Sequence, residues 1–407
     1  NRAEQTDVGK YDRPAAAATL DWTQPAAKSV ALVNALQFGG YANPLALPKL
    51  NLDRQLLAVT TAQTGQPTTA VPGTVLAISD NSLTIATAKD ELILSGLQTL
   101  EGTAVSPTDI ASQHGLQVGS QLPSLDAHTF AALTALHDTI VRQEGYWLRR
   151  LKQMQAPELP YADRSNTQVG QQFETATMRL PAGVNSDSSY LTAAFAAYLA
   201  RLSGSNSFDL ALSPPALAEE VGDFTAYFAT QIPFQVKLDS AATIESALGG
   251  LQIELDNLQS KRKTFNRDLL LRQPELAALR PKLDDALLPV MVQSTNSAAE
   301  FRPLPGTELA LLLTPDEATI TWVYDAAVYP PELIEAMQSQ FATFLNSAAS
   351  DGSRSLADTA LLSEAEIQQL LVEWNSTDVS YNTAVCIHQL IEAQAERKNL
   401  GVCCHSG

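Results

Sequence analysis

Apolar positions recur at helical spacing soon after the start of the chain. Beyond the polar stretch Thr23-Gln24-Pro25, the apolar positions that share one helix face are Val30, Val33 and Leu36. Proline is favoured in the first turn of a helix, and threonine is a frequent N-cap. We therefore predict a short helix that Thr23 caps and that Gly39-Gly40 ends.

The pattern then changes from helical spacing to alternation. One strand is predicted from Lys49 to Thr60, and residues 61–72, rich in Thr, Gln, Gly and Pro, are predicted to form a loop. Apolar residues alternate again on both sides of the turn Asp80-Asn81, which predicts strands at 73–78, 83–87 and 91–94. A small antiparallel meander or barrel is the expected result.

Longer helices and more widely spaced strands are predicted after residue 122. Asp126 is a candidate N-cap for a long helix whose buried face would hold Phe130, Leu133, Leu136, Ile140 and Val141. Further helices are predicted to start at Asp187 or Ser188, at Ser240 and after Pro330-Pro331. The predicted strands are 171–180, 208–212, 228–236, 288–293, 309–313 and 319–324. The fold class is therefore predicted as α+β.

Two short amphipathic helices are predicted near the end. Ser363 and Glu366 have the spacing of a capping box, and an apolar face follows, formed by Ile367, Leu370, Leu371 and Trp374. Residues 375–383 lack apolar periodicity and are predicted to run extended through Tyr381. The second helix would carry Ile387, Leu390, Ile391 and Gln394 at helical spacing. On these patterns alone, two ordinary surface helices joined by a loop remain an open alternative.

The composition is that of an ordinary globular protein. The chain has 407 residues, of which 45% are hydrophobic and 17% are charged, and its length suits roughly two or three domains. No run of about 18 apolar residues occurs, so we expect no transmembrane helix. The polar start lacks an apolar signal region, which predicts a cytoplasmic protein, and the missing initiating Met suggests that the sequence begins inside a larger chain.

Charge, cysteine content and missing motifs exclude several classes of function. The net charge of −18 would repel nucleic acid. All three cysteines lie at or beyond Cys386, and the adjacent pair Cys403-Cys404 fits zinc spacing poorly. The basic run Lys261-Arg262-Lys263 before Arg267-Asp268 suits a phosphate contact or, as we prefer, a solvated helix face. No P-loop, dinucleotide fingerprint or G-x-S-x-G elbow occurs, and we predict no catalytic, cofactor-binding or metal-binding residue.

Three strings near the end carry a family resemblance. They are L-L-S-E-A-E from Leu361, L-L-x-x-W-N-S-T from Leu370 and C-I-H-Q-L-I-E-A-Q from Cys386. In this order they resemble the junction between the condensation and adenylation domains of nonribosomal peptide synthetases. The resemblance implies an interdomain linker whose contact residues are Trp374, Asn375, Tyr381, His388 and Gln394. Residues 398–407 depart from the pattern, so residues after about Thr377 are expected to be mobile.

The first part of the chain resembles a second family. The matching strings are residues 20–25 (LDWTQP), 34–36 (NAL), 40–44 (GYANP) and 72–76 (PGTVL). They are similar to the C-terminal, barrel-like subdomain of formyltransferases that use 10-formyltetrahydrofolate, over roughly residues 10 to 122. In that family the catalytic residues and the folate pocket belong to a preceding subdomain, which has no counterpart in residues 1–407.

The middle of the chain resembles one lobe of a condensation domain. Residues 146–151 (YWLRRL), 158–163 (ELPYAD) and 228–236 (FATQIPFQV) carry the likeness, together with the order of the later strands and helices. It implies the C-terminal lobe of a chloramphenicol-acetyltransferase-like α/β sandwich. A condensation domain uses an H-H-x-x-x-D-G motif in its other lobe, whereas the five histidines here are scattered: His114, His128, His137, His388 and His405.

Together the resemblances predict a fragment of a nonribosomal peptide synthetase starter module. The expected parts are a formyltransferase-like subdomain at 1–122, a condensation-like lobe at 123–360 and a linker with a truncated end at 361–407. The two folding units would meet near residues 122–128 across a modest surface. The parent would formylate and activate the first amino acid with 10-formyltetrahydrofolate, ATP and phosphopantetheine, none of them bound by this chain.

The predicted role of the chain itself is structural. Its expected partners are adjoining adenylation and carrier domains and a formyltransferase catalytic subdomain, with no nucleic acid or membrane. An acyltransferase of the condensation class with an unrecognised active site is the alternative, and the missing H-H-x-x-x-D-G motif favours the non-catalytic role.

Overall fold

A computed structural model describes residues 9–53, 55–160, 162–165, 170–282, 285–314, 316, 318–375 and 386–398. Its strands are β1 (Lys49–Asn51), β2 (Leu56–Pro67), β3 (Val75–Ile78), β4 (Leu83–Ala86), β5 (Asp90–Thr99), β6 (Phe173–Arg179), β7 (Ser207–Ser213), β8 (Ile232–Lys237), β9 (Val290–Ser294), β10 (Leu309–Thr314) and β11 (Thr319–Asp325). The strands form two sheets, which gives the mixed α+β class that the sequence predicts.

The helices vary widely in length. They are α1 (Ala26–Ala35), α2 (Pro107–His114), α3 (Ala127–Ile140), α4 (Glu144–Lys152), α5 (Ser188–Ser203), α6 (Pro215–Val221), α7 (Ile244–Ser260), α8 (Leu269–Arg272), α9 (Pro331–Ser350), α10 (Glu364–Gln368) and α11 (Ile387–Lys398). Short 3₁₀ segments include Ala15–Ala18 and Pro274–Lys282. The chain divides into two compact units, Asn1–Leu361 and Leu362–Gly407. The domain boundary near residue 122 stays a prediction.

The first sheet is open, so the predicted barrel is wrong. Its five strands run in the order β1-β2-β5-β4-β3, and each neighbouring pair is antiparallel. Closing a barrel would require β1 to pair with β3. Instead, the Leu20 N–H donates to the Lys49 carbonyl beside β1, and the Val75 N–H of β3 donates to the Ser120 carbonyl. Loops therefore cover both edges of the sheet.

The predicted strand from Lys49 to Thr60 is two strands. The backbone reverses between β1 and β2 around Asp53, which has a positive φ of 69°. β2 then continues to Pro67, through the segment that was predicted to be a loop. Threonine favours strands, and Thr61 and Thr64 pair with Ser95 and Leu92 of β5 in a long antiparallel ribbon. Pairing between strands therefore outweighs the turn signal of the Gly and Pro residues.

Helix starts were predicted with mixed success. Asp126 and Asp187 cap α3 and α5, as predicted. Thr23 does not cap α1, because its hydroxyl donates to Asp21 Oδ1 and Pro25 occupies the N-cap position. Ser240 does not cap α7 either, since the helix begins at Ile244 with Thr243 as its N-cap.

The second sheet is mixed and holds the larger core. Its order is β6-β11-β10-β9-β7-β8, with β9 parallel to both β7 and β10 and the other pairs antiparallel. Helices α5 and α9 pack together over it through aromatic side chains. The ring centroids of Phe195 and Trp322 lie 5.5 Å apart, and those of Phe195 and Phe341 lie 5.6 Å apart. These contacts bury large apolar areas, which stabilise this layer.

Strand β2 joins the two cores of the Asn1–Leu361 unit. Leu57 and Val59 belong to the apolar cluster of the first sheet, which also contains Trp22. Leu56 and Ala58, on the opposite face, belong to the cluster built on the second sheet. Alternate residues of a strand point to opposite faces, so the start of β2 is buried on both sides. This burial brings residues from the two halves of the sequence together.

The Leu362–Gly407 unit begins with the predicted capping box. Ser363 Oγ accepts a bond from the Glu366 N–H, while Glu366 Oε2 accepts one from the Ser363 N–H at 2.7 Å. Helix α10 passes into a π-helical turn, Gln369–Glu373. The apolar side chains of this stretch are exposed, with Trp374 at 65% and Leu371 at 67%.

Candidate functional site: a buried ionic junction

A buried ion pair links β1 to the start of α8. Lys49 Nζ lies 2.7 Å from Asp268 Oδ2, and both side chains are 2% exposed. The ammonium also donates to the carbonyls of Ala17 at 2.8 Å and Leu47 at 3.0 Å. An ammonium has three donors, and all three are therefore used, as expected for a charged lysine.

Arg272 extends this pair into a network. Its Nε donates to Asp268 Oδ1 at 3.1 Å, and its Nη1 donates to the Asn43 carbonyl at 2.9 Å. Its Nη2 makes an ion pair with Glu144 Oε1, at the start of α4. Arg272 is spaced four residues from Asp268, which places both groups on one side of the short helix. We call Lys49, Asp268, Arg272, Glu144 and Asn43 the ionic junction.

Asn43 ties the loop after α1 into the ionic junction. Its Nδ2 donates to the carbonyls of Leu36 and Ala46, at 3.0 and 2.7 Å, and its Oδ1 accepts a bond from the Leu45 N–H. Its backbone N–H donates to the Arg272 carbonyl. Every polar group of the buried amide is thereby used, so Asn43 fixes the loop against α8.

An unusual turn supplies one acceptor for Lys49. Ala16, Ala17 and Ala18 have positive φ values of 46°, 51° and 63°, and all three are at most 2% exposed. Residues other than glycine rarely adopt this left-handed conformation, which costs about 1–2 kcal/mol per residue. The turn aims the Ala17 carbonyl at Lys49, and Thr19 bonds both the Ala16 carbonyl and the Tyr227 hydroxyl. Packing and these bonds hold the turn in place.

Burial and the neighbouring charges shift the pKa values of several groups at the ionic junction. Burial lowers the pKa of Lys49, although the charge of Asp268 opposes that shift. Burial alone would raise the pKa of Asp268, but Lys49 and Arg272 outweigh it and lower that pKa below its usual range. Burial, followed by the positive charge of Lys49, lowers the pKa of His137 to about 3. His137 is 1% exposed, and its Nδ1 has no partner among the described residues. The imidazole is therefore neutral at pH 7.

The ionic junction is suited to structure rather than catalysis. Its cations and carboxylates neutralise each other, and its members are nearly inaccessible to a substrate. Lys261-Arg262-Lys263 lie beyond the last residue of α7, so the interpretation as a helix face is wrong, although Lys261 is exposed to solvent. Arg262 stacks 3.9 Å from the Tyr146 ring and Lys263 pairs with Glu220, and both side chains are about one-third exposed. The phosphate contact stays a prediction.

The formyl transferase C-terminal domain family matches residues 14–115, which include Lys49 and Asn43. One subunit of the linear gramicidin synthase from Brevibacillus parabrevis is 25% identical over 194 residues, 45% of this chain. Another subunit of the same synthase is 39% identical over 74 residues, 18% of this chain. The chain is related to the nonribosomal peptide synthetases. It spans about 2% of the length of each of these two relatives.

A solved structure resembles this synthetase-related chain more loosely. A mutant of the starter condensation domain of rhizomide synthetase, in complex with C8-CoA, is 16% identical with a TM-score of 0.41. The alignment covers 68% of this chain and 70% of that domain. Within the described residues of the synthetase-related chain, no helix is long and apolar enough to cross a membrane.

The predicted linker residues of the synthetase-related chain lie in the Leu362–Gly407 unit. Trp374 is exposed, and Asn375 Nδ2 donates to the Leu370 carbonyl at 2.8 Å, which closes the end of the π-helical turn. His388 and Gln394 lie on α11 and are exposed. Tyr381 lies outside the described residues. The contact role of all five residues stays a prediction.

His114 and His128, in the described part of the synthetase-related chain, do not form a metal site. His114 Nε2 lies 2.7 Å from Gln55 Oε1, and His128 is exposed on α3. Across the part of the chain that the structure describes, no three His, Cys, Asp or Glu side chains are grouped as metal ligands. His405 lies outside that part.

Sequence reasoning missed the ionic junction. One signal was present, because Lys49 is a lone charge in the apolar run Leu45 to Leu52, where a buried, paired lysine is a reasonable inference. Its partner Asp268 follows about 220 positions later and stands in a segment interpreted as polar surface. Such a long-range pairing leaves no local pattern.

Proposed function

We propose that this chain is a non-catalytic structural and interaction portion of a nonribosomal peptide synthetase initiation module. The observation that carries the proposal is the formyl transferase C-terminal match at residues 14–115 in a chain that is also similar to gramicidin synthase subunits. The ionic junction supports it, because Lys49 of the matched region pairs with Asp268 in a buried contact, and separating the two would leave uncompensated buried charges.

The proposed organisation has three parts. Residues 1–122 would be the formyltransferase-like C-terminal subdomain, and residues 123–360 would be the C-terminal lobe of a condensation-like, chloramphenicol-acetyltransferase-like fold. Residues 361–407 would link this lobe toward an adenylation domain. The separate sheets on either side of residue 122 support the first boundary.

The proposed parent protein formylates and activates the first amino acid. It would use 10-formyltetrahydrofolate as formyl donor, ATP for activation and a phosphopantetheine arm on a carrier domain. Its adjoining adenylation, carrier and formyltransferase catalytic domains would be the partners of this chain. A cytoplasmic location suits this chemistry and stays a prediction.

The Leu362–Gly407 unit would supply the contacts with the adenylation side. Its exposed apolar side chains support this role, since Trp374, Leu371 and Ile387 are between 65% and 78% exposed. Exposed clusters of this kind commonly mark protein–protein contacts. Asn375, Tyr381, His388 and Gln394 are proposed to complete the contact surface.

Catalysis by this chain alone is not expected. Formyl transfer and condensation each need a positioned acid or base, typically worth about 10²–10⁴-fold, in addition to substrate positioning. His137 is buried and neutral, and His114 is engaged by Gln55. No H-H-x-x-x-D-G motif occurs in residues 1–407.

The test supplies the full chain with 10-formyltetrahydrofolate and an aminoacyl carrier protein, and separately with a donor and acceptor carrier pair. Product is followed by mass. We expect no turnover above the no-protein control. Turnover that disappears on mutating a residue of this chain would contradict the proposal and favour the acyltransferase alternative.

A further inference from the structure

A cleft of about 530 Å³ opens beside the ionic junction. Its lining includes Leu36 and Phe38 at the end of α1 and in the following loop, and Leu271 and Arg280 in and after α8. Arg272 and Asn43 of the ionic junction also line it. Small-molecule sites are commonly clefts of about 300–1,000 Å³ where two structural layers meet.

The cleft carries one uncompensated positive charge. Among the described residues that line it, none is Asp or Glu. Arg272 is already neutralised by Asp268 and Glu144. Arg280 donates from Nε and Nη2 to the carbonyls of Leu270 and Leu271, both at 3.1 Å, and has no ion pair with any described carboxylate.

The remaining lining suits a ligand with an apolar body. Leu36, Phe38, Leu47 and Leu271 supply apolar surface, and Gln37 and Gln98 supply amide groups. The carbonyl end of α1 would repel an anion, but the Asn43 amide already donates to the Leu36 carbonyl there. The anion-accepting part of the cleft is therefore the side of Arg280.

We propose that this cleft binds a small organic monocarboxylate with an apolar body. The N–H groups of Arg280 that are not used by Leu270 and Leu271, on Nη1 and the second one on Nη2, can donate two parallel hydrogen bonds to one carboxylate. A dianion would leave one charge unpaired in a protein whose net charge is already −18. A zwitterionic amino acid is disfavoured too, because the described lining offers no carboxylate to pair with its ammonium group.

The ligand would contact two segments that the ionic junction holds together, the loop after α1 and the segment after α8. Its carboxylate would pair with Arg280, while its apolar body would lie against the loop after α1. A ligand that binds only the folded state stabilises that state in proportion to the logarithm of its concentration above Kd. Binding should therefore raise the melting temperature of the full chain.

The experiment compares three probes on the full chain by titration calorimetry and thermal unfolding. The probes are 4-phenylbutyrate, the neutral 4-phenylbutan-1-ol and zwitterionic phenylalanine. We expect saturable binding of 4-phenylbutyrate, at least about tenfold tighter than either other probe, because it alone carries a carboxylate without an unpaired ammonium group.

Substitutions of Arg280 test whether its guanidinium binds the carboxylate of the ligand. We expect Arg280→Gln to weaken 4-phenylbutyrate binding about tenfold or more, and Arg280→Lys to weaken it less. Arg302→Gln is the matched control, because Arg302 also donates to carbonyls of its own loop and does not line the cleft. It should bind like the unmodified chain.

Gln37→Trp guards against a folding defect in the Arg280 variants. Gln37 is exposed at the mouth of the cleft, so a tryptophan there should block binding without removing a buried contact. Four results would overturn the proposal: no saturable carboxylate binding, equal binding of the alcohol, an unchanged affinity in Arg280→Gln, or an unchanged affinity in Gln37→Trp.

Discussion

The ionic junction buries charged side chains, whereas the Leu362–Gly407 unit exposes apolar ones. The ionic junction buries Lys49, Asp268 and Arg272 at no more than 4% exposure, while the second unit leaves Trp374 and Ile387 at 65% and 78% exposure. Charged groups are normally exposed and large apolar groups buried. The charged groups of the ionic junction are paired with one another within the Asn1–Leu361 unit. The exposed apolar side chains of the Leu362–Gly407 unit suit contact with another protein domain.

The two regions should therefore respond differently to mutation. A buried charge that loses its counterion is costly because water cannot replace the partner. An exposed apolar side chain has no counterpart to lose within its own unit. Substitutions in the ionic junction should therefore lower the free energy of unfolding more than substitutions in the Leu362–Gly407 unit.

Removing Asp268 should have the largest effect. Asp268→Ala leaves Lys49 and Arg272 without their shared carboxylate, and we expect the free energy of unfolding to fall by about 3–5 kcal/mol. Urea unfolding of both proteins measures this loss of free energy. Arg354→Met is the control, because Arg354 and Asp351 are each 46% exposed and such pairs are worth less than about 1 kcal/mol. Equal losses of unfolding free energy in Asp268→Ala and Arg354→Met would contradict the difference between the buried and the exposed ion pair.

Truncating Asn43 should have the next largest effect. Asn43→Ala leaves the carbonyls of Leu36 and Ala46 without their donor, which we expect to cost about 2 kcal/mol of unfolding free energy. Asn34→Ala is the matched control, since Asn34 is exposed on α1 and alanine favours helices. Chemical denaturation of both variants checks this, and a cost near zero for Asn43→Ala would contradict the contact.

Lowering the pH should reduce the free energy of unfolding, because His137 is neutral in the folded chain and binds a proton when the chain unfolds. Its pKa is about 3 when folded, below the ordinary value of 6.5, so the unfolded chain binds one more proton between these values. Stability is therefore lost as pH falls from 6.5 toward 3, by up to about 1.4 kcal/mol per pH unit.

His137→Leu should remove this part of the pH dependence. Stability is measured at several pH values between 6.5 and 4.5 in both proteins. His128→Gln on the exposed side of the same helix should keep the wild-type slope. Identical slopes in His137→Leu and wild type would show that His137 is not buried as a neutral group.

Changing the second unit should have the smallest effect on the folded body. Trp374→Asp should alter the free energy of unfolding of the Asn1–Leu361 unit by less than about 0.5 kcal/mol, because surface changes are usually within that range. It should weaken association with the adenylation side in a longer protein, measured by pull-down. Val118→Asp, with Val118 65% exposed, is the control that should leave association unchanged.

The sequence predicted what local patterns determine. The caps at Asp126, Asp187 and Ser363 were predicted correctly, because capping depends on residues three positions apart. The barrel was not, because closure depends on whether distant edges pair or are covered by loops. The ionic junction was missed for the same reason, since Lys49 and Asp268 are joined only by the tertiary fold.

The direct test of the central claim is whether the ionic junction makes the two sheets unfold together. Trp22 packs in the core of the first sheet and Trp322 in that of the second. Fluorotryptophan labelling with ¹⁹F NMR in urea follows both, once single Trp→Phe variants have assigned the four tryptophan resonances. We expect both resonances to change at one urea midpoint, and both midpoints to fall together in Asp268→Ala. Separate midpoints, with only one of them moved by Asp268→Ala, would contradict the account.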